Sequence, residues 1–327
     1  MTNLKNKIIK ETSGYRQSSV ILTAVSTGLF DFLIDVDCVR ADWIGEKLGW
    51  TNRGTEIMLN ALTSLGYLEK QGDEYRIAEK HREFFLNPDY PLFKQRLLHQ
   101  WRLMQRWAQL DRVLKTGKPV TEPGEIDWQA NLRNYILAMA QGEKLSLPGL
   151  LAAVSLEGCR HLLDLGGGPG LFAIGFAEKY PGLYATVFDR PEVEPIAREF
   201  FDRSSAKARL HFRAGDLLVD QPGSDYDAVL ISSILHIFSP RENIDLLKRV
   251  FRAALPGATI IVRDFMLNRA KTAPLDAALF AVNMLVNTEK GNAYSAVEIR
   301  DWLKTAGFKN IRRISLNRGA GLLVSEK

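Results

Sequence analysis

Cysteine is scarce: the 327 residues hold two, Cys38 and Cys159. Their separation matches no metal-ligand or redox spacing, which argues against a zinc site or a disulfide framework. No stretch approaches the ~20 apolar residues of a membrane span. The start, Met1 to Lys10, is polar and basic with no apolar stretch behind it, unlike a signal peptide. No sign of charge dominates: 43 basic side chains stand against 38 acidic ones, for a net charge of +5, and neither half forms a basic arm for nucleic acid. Fixed-period repeats, low-complexity tracts and Asp/Glu/His clusters with ligand spacing are also missing. The expectation is a cytoplasmic protein that needs no metal, membrane or nucleic acid. What is there is ample: 46% hydrophobic residues suffice for a core without staples. The length fits about two domains.

The first part reads as helical. Tyr15 to Leu33 carries one long apolar face, Ile44 and Leu48 lie four apart before Gly49, and Arg53 to Leu65 has apolar residues at helical spacing. Two short strands follow around Gly72-Asp73, between Tyr67 and Ile77. Helix, turn, helix, hairpin is the order of a winged helix. A DNA-recognition helix needs Arg, Lys, Asn or Gln for base edges and phosphates. The candidate offers only Arg53 and Asn60, so a dimerisation or lid module fits better than a regulator. Residues 80–118 continue as helix, and Pro119, Pro123 and Gly124 mark a linker. The expected domains are 1–118 and 125–327.

A helix over Leu132–Ala140 opens the second part. Strands and helices then alternate: strands at His161–Leu165, Tyr184–Asp189, Leu210–Asp216, Tyr226–Ile234 and Ala258–Phe265, and near Ile311 and Leu322, with helices at Leu171–Tyr180, Glu242–Ala254 and Asp301–Ala306 between them. This order predicts an α/β fold with a doubly wound, Rossmann-like sheet.

The sharpest motif is Asp164-Leu165-Gly166-Gly167-Gly168-Pro169-Gly170, at a strand end and opening a helix. The dinucleotide fingerprint G-x-G-x-x-G fails here, because counting from Gly166 puts Leu171 at its last position. Asp189, ending the second strand, is placed to accept from both ribose hydroxyls. Asp216 and Leu217, ending the third, suit the edge and face of an adenine. Any one acid could simply cap the next helix; three in this order, with no phosphate-binding lysine, point to a nucleoside without phosphates. S-adenosylmethionine fits.

These residues, with Phe188-Asp189-Arg190-Pro191, Gly215-Asp216-Leu217, Ile234-Leu235-His236, Leu255-Pro256-Gly257 and Tyr294-Ser295 to Phe308, resemble the S-adenosylmethionine-dependent O-methyltransferase family. That family includes plant caffeic acid and hydroxyindole O-methyltransferases and bacterial small-molecule relatives, and the resemblance spans nearly the whole chain. It implies an N-terminal winged-helix dimerisation domain, a homodimer, and Tyr15 and Gln17 reaching the partner's pocket. It implies that Asp164, Gly166 and Gly168 line the methionine end, Asp189 the ribose, and Asp216, Leu217 and Ser232 the adenine. His236 falls on the general base and Asp264 on the acid that orients it. Tyr135 and Met139 fall on a helix covering substrate, and Phe280, Met284 and Asn287 on one closing the pocket. The product would be S-adenosylhomocysteine. Five positions depart from the plant pattern: Ala293 stands where a second acid is usual, Ile237 and Phe238 where Asp and Trp are, and Ser232-Ser233 where a lysine and a tryptophan are. The implied activity is methyl transfer to a hydroxyl of a small aromatic or heteroaromatic metabolite. C-methylation, or cofactor binding without transfer, is the alternative in the same fold.

Overall fold

The computed structural model describes residues 2–120, 128–315 and 320–327. The Pro123-Gly124 linker and the expected start of the second domain at 125 lie outside the described residues. The chain divides into two compact units, Met1–Gln105 and Arg106–Lys327.

In the first unit, the helices are α1 (Thr2–Ser13), α2 (Tyr15–Ser26), α3 (Leu29–Ile34), α4 (Ala41–Leu48), α5 (Asn52–Ser64), α6 (Glu79–Leu86) and α7 (Tyr90–Trp107). The strands are β1 (Val39–Arg40), β2 (Leu68–Gln71) and β3 (Glu74–Ile77), in the order β1-β3-β2. The winged-helix order is therefore observed. The face expected to run unbroken from Tyr15 to Leu33 is split, because Gly28 at φ +77° ends one helix and starts the next. Residues 80–118 are likewise three helices, the last of them, α8 (Leu110–Thr116), belonging to the second unit. Asn87 precedes Pro88, which disfavours helical backbone, and it is extended at ψ 134°. Thr51 caps α5 by accepting from Gly54 N–H at 3.2 Å. Phe30, Leu33, Ile44, Leu59, Leu62, Tyr75 and Ile77 form the core. Asn60, one of the two candidate DNA-reading residues, has its side-chain oxygen occupied by Lys70 Nζ and Tyr75 OH.

In the second unit, α9 (Trp128–Ala153) leads to β4 (His161–Leu165), α10 (Leu171–Lys179), β5 (Tyr184–Asp189), α11 (Glu194–Phe201), β6 (Leu210–Ala214) and β7 (Tyr226–Ser232). Then come α12 (Pro240–Ala253), β8 (Ala254–Phe265), α13 (Leu275–Asn287), α14 (Ala296–Ala306), β9 (Lys309–Ser315) and β10 (Ala320–Glu326). The sheet runs β6-β5-β4-β7-β8-β10-β9; β10 is antiparallel to both its neighbours, and the pairs from β6 to β8 are parallel. This is the expected doubly wound α/β fold. One face buries Leu246, Leu247 and Val250 of α12 and Ile299, Trp302 and Leu303 of α14. The other buries Leu150 of α9, Phe172, Phe176 and Ala177 of α10 and Phe201 of α11. Capping boxes, Ser239 with Glu242 and Ser295 with Glu298, start α12 and α14.

Several boundaries differ from the sequence reading; α12 and α14, for example, start earlier, at Pro240 and Ala296. β6 and β7 stop two residues early, β7 at a sharp bend where Ser233 has φ +58°. β8 starts four residues early, at Ala254. The helix expected over Leu132–Ala140 is 26 residues long and passes through Pro148. Pro148 forgoes a helical hydrogen bond, while Leu147, Leu150 and Leu151 around it pack into the sheet-face core.

Candidate active site

The site lies at the carboxyl ends of β4, β5, β7 and β8, where open parallel sheets bind ligands. The loop after β4 forms one wall. Its backbone is fixed by Gly166 N–H donating to Phe188 O at 2.7 Å and Gly168 N–H donating to Asp189 Oδ2 at 2.9 Å. Gly166 has φ +68°, and a Cβ there would fall 2.3 Å from Ile234 Cδ1, so no side chain fits. Gly168 has φ +52°, and its Cβ would meet only Ile136 Cδ1 at 3.9 Å and Glu143 Oε1 at 4.0 Å. That opening is a cradle.

Acids line it. Asp164 is 1% exposed; its Oδ2 accepts from Ala173 N–H at 3.3 Å and its Oδ1 is buried with no partner. Burial, reinforced by the negative charge of Asp189, pushes its carboxyl up to about 7. Asp189 Oδ1 accepts from Arg190 N–H at 2.7 Å, and burial raises this carboxyl too. Glu143 of α9 faces Asp164, Asp189 and Arg263; burial and the Asp164 charge hold it well above the carboxylate range. Asp216 is exposed and turns the next loop, accepting from Leu218 N–H at 2.7 Å. Leu217 is half-buried and reaches within 3.3 Å of the position a Gly166 Cβ would take.

The second wall is the short turn Leu235–Ile237 after β7. His236 is 8% exposed, and its Nδ1 lies 2.7 Å from Asp264 Oδ1. Asp264, at the end of β8, is 3% exposed and also accepts from the backbone N–H groups of Phe265 (2.8 Å) and His236 (3.3 Å). Both its oxygens thus face donors, so Nδ1–H donates to Asp264 and the imidazole lone pair is left on Nε2. Phe280 of α13 meets the imidazole edge-on at 4.8 Å and stacks on Phe265 at 4.0 Å.

Sequence reasoning missed what holds this turn. Asn243, fully buried on α12, donates to Leu235 O at 2.8 Å and Phe238 O at 3.3 Å. Tyr294 OH donates to Phe238 O at 2.6 Å, and Asn292 N–H to His236 O at 2.9 Å.

Other expected site residues fall less directly. Ser232 accepts from Arg263 Nη1 at 3.2 Å, so its hydroxyl is committed to that guanidinium. Tyr135 is 42% exposed, and its charged neighbours are Asp189, Arg190 and Glu143. Met139 is half-buried one turn further along α9. Met284 is 7% exposed, one turn after Phe280. Asn287 accepts from Arg106 Nη1 at 3.1 Å and donates to Asn283 O at 2.7 Å. Ala293 is buried beside Leu267 and Ala277, so the place of a second acid is apolar. Among the described residues no three His, Cys, Asp or Glu side chains gather as metal ligands, and no helix is long and apolar enough to cross a membrane.

An open glycine loop beside a buried His–Asp pair at this sheet edge is the arrangement expected of a small-molecule methyltransferase. The O-methyltransferase domain family matches residues 121–309, and the O-methyltransferase dimerisation domain family matches residues 9–85. The chain is 30% identical over 309 residues to 3-hydroxy-5-methyl-1-naphthoate 3-O-methyltransferase of Streptomyces sahachiroi, covering 92% of this chain and 89% of that one. It is 29% identical over 323 residues to acetylserotonin O-methyltransferase of Bos taurus, covering 93% of each. The solved structure of PigF with S-adenosylhomocysteine matches 99% of both chains at 26% identity and a TM-score of 0.86; PigF of Serratia sp. is an S-adenosyl-L-methionine-dependent methyl transferase. The chain belongs to the S-adenosylmethionine-dependent O-methyltransferase family.

Proposed function

We propose that this enzyme methylates a hydroxyl on a small aromatic or heteroaromatic metabolite, with His236 as general base. The observation that carries the reading is the buried His236–Asp264 pair, held in one tautomer with Nε2 free, against the Phe280–Phe265 aromatic wall. S-adenosylmethionine, when bound, supplies an electrophilic methyl carbon on its sulfonium.

The chain's residues supply the rest. A phenol, pKa about 10, is a poor nucleophile at neutral pH. His236 Nε2 is placed to take the hydroxyl proton and Asp264 to stabilise the resulting imidazolium through Nδ1; the donor's carbon–sulfur bond would break as the carbon–oxygen bond forms, releasing S-adenosylhomocysteine. The aromatic wall orients a flat acceptor and keeps water out. In-line placement accounts for much of the remaining acceleration. The donor's residues also fit: Asp164 has an unpartnered buried oxygen, Gly168 leaves its cradle open, and Asp189 stands at the end of β5 where a ribose diol is held. The matched dimerisation domain supports a homodimer, as do Leu4, Ile8 and Ile9 of α1, each at least 50% exposed. Tyr15 and Gln17, the residues expected to reach a partner, are exposed.

The test of this reading is formation of a methyl ether from a hydroxyarene with S-adenosylmethionine as donor; no transfer to any hydroxyarene defeats it. Two predictions concern the donor site. Asp189→Ala should weaken S-adenosylmethionine by about 1.5–3 kcal/mol, the worth of hydrogen bonds to a charged group; calorimetry showing unchanged affinity removes Asp189 from the ribose. The second is a pH effect. With its carboxyl pushed up to about 7, free Asp164 is half-protonated at neutral pH, and a protonated acid is a poor partner for a cationic ligand. Binding must then release a proton, so affinity should fall as pH drops below about 7, by up to a decade per unit. An affinity constant from about pH 8 down to pH 6 contradicts this.

A further inference from the structure

Two buried ionisable side chains next to the cradle, Arg263 and Glu143, form no ion pair with each other among the described residues. Arg263, on β8 and in register with Ser232 of β7, has neutral partners: Nη1 donates to Ser232 Oγ and Ser233 Oγ, both at 3.2 Å, and Nη2 to Ser146 Oγ at 3.0 Å. Its guanidinium lies 5.5 Å over the Phe172 ring. Among the described residues it forms no ion pair with a carboxylate, although the acids Asp264 and Glu143 both act on it. Three hydroxyls orient it without neutralising it. Glu143 sits one turn before Ser146 on α9, and its Oε2 is sealed from solvent with no hydrogen-bond partner. Its other oxygen is 4.0 Å from where a Gly168 Cβ would be, so the carboxyl group, which also accepts from the Leu171 backbone, faces the opening of the glycine loop.

A buried polar atom without a partner is costly, and a half-made charge pair more so. A ligand end carrying both signs a few bonds apart, an α-amino acid, would satisfy both at once. The methionine moiety is such an end. We propose that Glu143 accepts from the ammonium and Arg263 donates to the carboxylate of the amino-acid end of S-adenosylmethionine. The proposal rests on the reading of the glycine loop as the donor site. It also explains Ser232-Ser233: these hydroxyls aim a cation that comes from the neighbouring strand.

Two ligands separate the proposal from the reading beneath it: S-adenosylhomocysteine, which has the amino-acid end, and 5′-methylthioadenosine, which lacks it. Calorimetry on the full-length protein should show wild type binding both. Glu143→Gln and Arg263→Met should each weaken S-adenosylhomocysteine by about 10- to 100-fold, the range for a hydrogen bond to a charged group, and leave 5′-methylthioadenosine unchanged. Arg263→Lys, which keeps the charge, should lose less than Arg263→Met. Unchanged affinity for S-adenosylhomocysteine overturns the proposal. So does a parallel loss of both ligands, which would assign these residues to the fold or to the adenosine end. Wild-type protein that binds neither ligand overturns the donor site itself, and the proposal with it.

Discussion

Replacing His236 with alanine should lower turnover by ~10²–10⁴-fold, the usual share of general base catalysis, and leave the affinity for S-adenosylhomocysteine intact. The two effects separate because the imidazole lies on the turn after β7, against Phe280, and the cradle belongs to the loop after β4. The loss should shrink for acceptors of lower pKa, which ionise without help, and as pH rises toward the acceptor's own pKa. Asp264→Asn should show a smaller loss in the same direction, because it disturbs the tautomer and keeps the base. Steady-state kinetics on one acceptor across pH, paired with calorimetry, reads all of this. Near-wild-type turnover at neutral pH would demote His236 to a pocket residue.

Gly168→Val should remove donor binding. The glycine has φ +52°, and its missing side chain opens toward Ile136 and Glu143. Valine places three carbons in that opening; overpacking of this kind costs ~1–3 kcal/mol, about 5- to 150-fold in affinity. A branched residue at positive φ should also cost the fold ~1–3 kcal/mol, visible as a lower melting temperature. Unaltered affinity for S-adenosylhomocysteine in a folded Gly168→Val protein would mean that the ligand does not enter this cradle.

The parts of the site legible in the sequence are those fixed by local position. The glycine loop, Asp189 and Asp264 each sit where a strand hands over to a loop, and strand ends in a doubly wound sheet face one edge. His236 was legible for the same reason. Glu143 and Arg263 were not, because each depends on a long-range fact. Glu143 needs α9 to run on past Ala140, where the apolar period fades and Pro148 stands in the way. Arg263 needs the β7–β8 register that sets it opposite Ser232. Asn243 reads as a polar residue on an amphipathic helix; only the backbone carbonyls it meets give it a task. The last two strands were visible as apolar runs, but β10 pairing between β8 and β9 is a matter of topology that no run of residues encodes. In the first unit, Gly28 and the Asn87-Pro88 step interrupt faces that look continuous in apolar spacing alone.

The measurement that bears most directly on the account follows the label. The enzyme is incubated with S-adenosylmethionine carrying a labelled methyl group and a panel of hydroxyarenes. The product is then examined by mass spectrometry and carbon NMR, with His236→Ala in parallel. The account predicts one equivalent of S-adenosylhomocysteine per turnover, label in a methyl ether on the ring oxygen, and near-complete loss of that signal in the variant at neutral pH. Label on a ring carbon, or an ether formed equally well by His236→Ala, would contradict it.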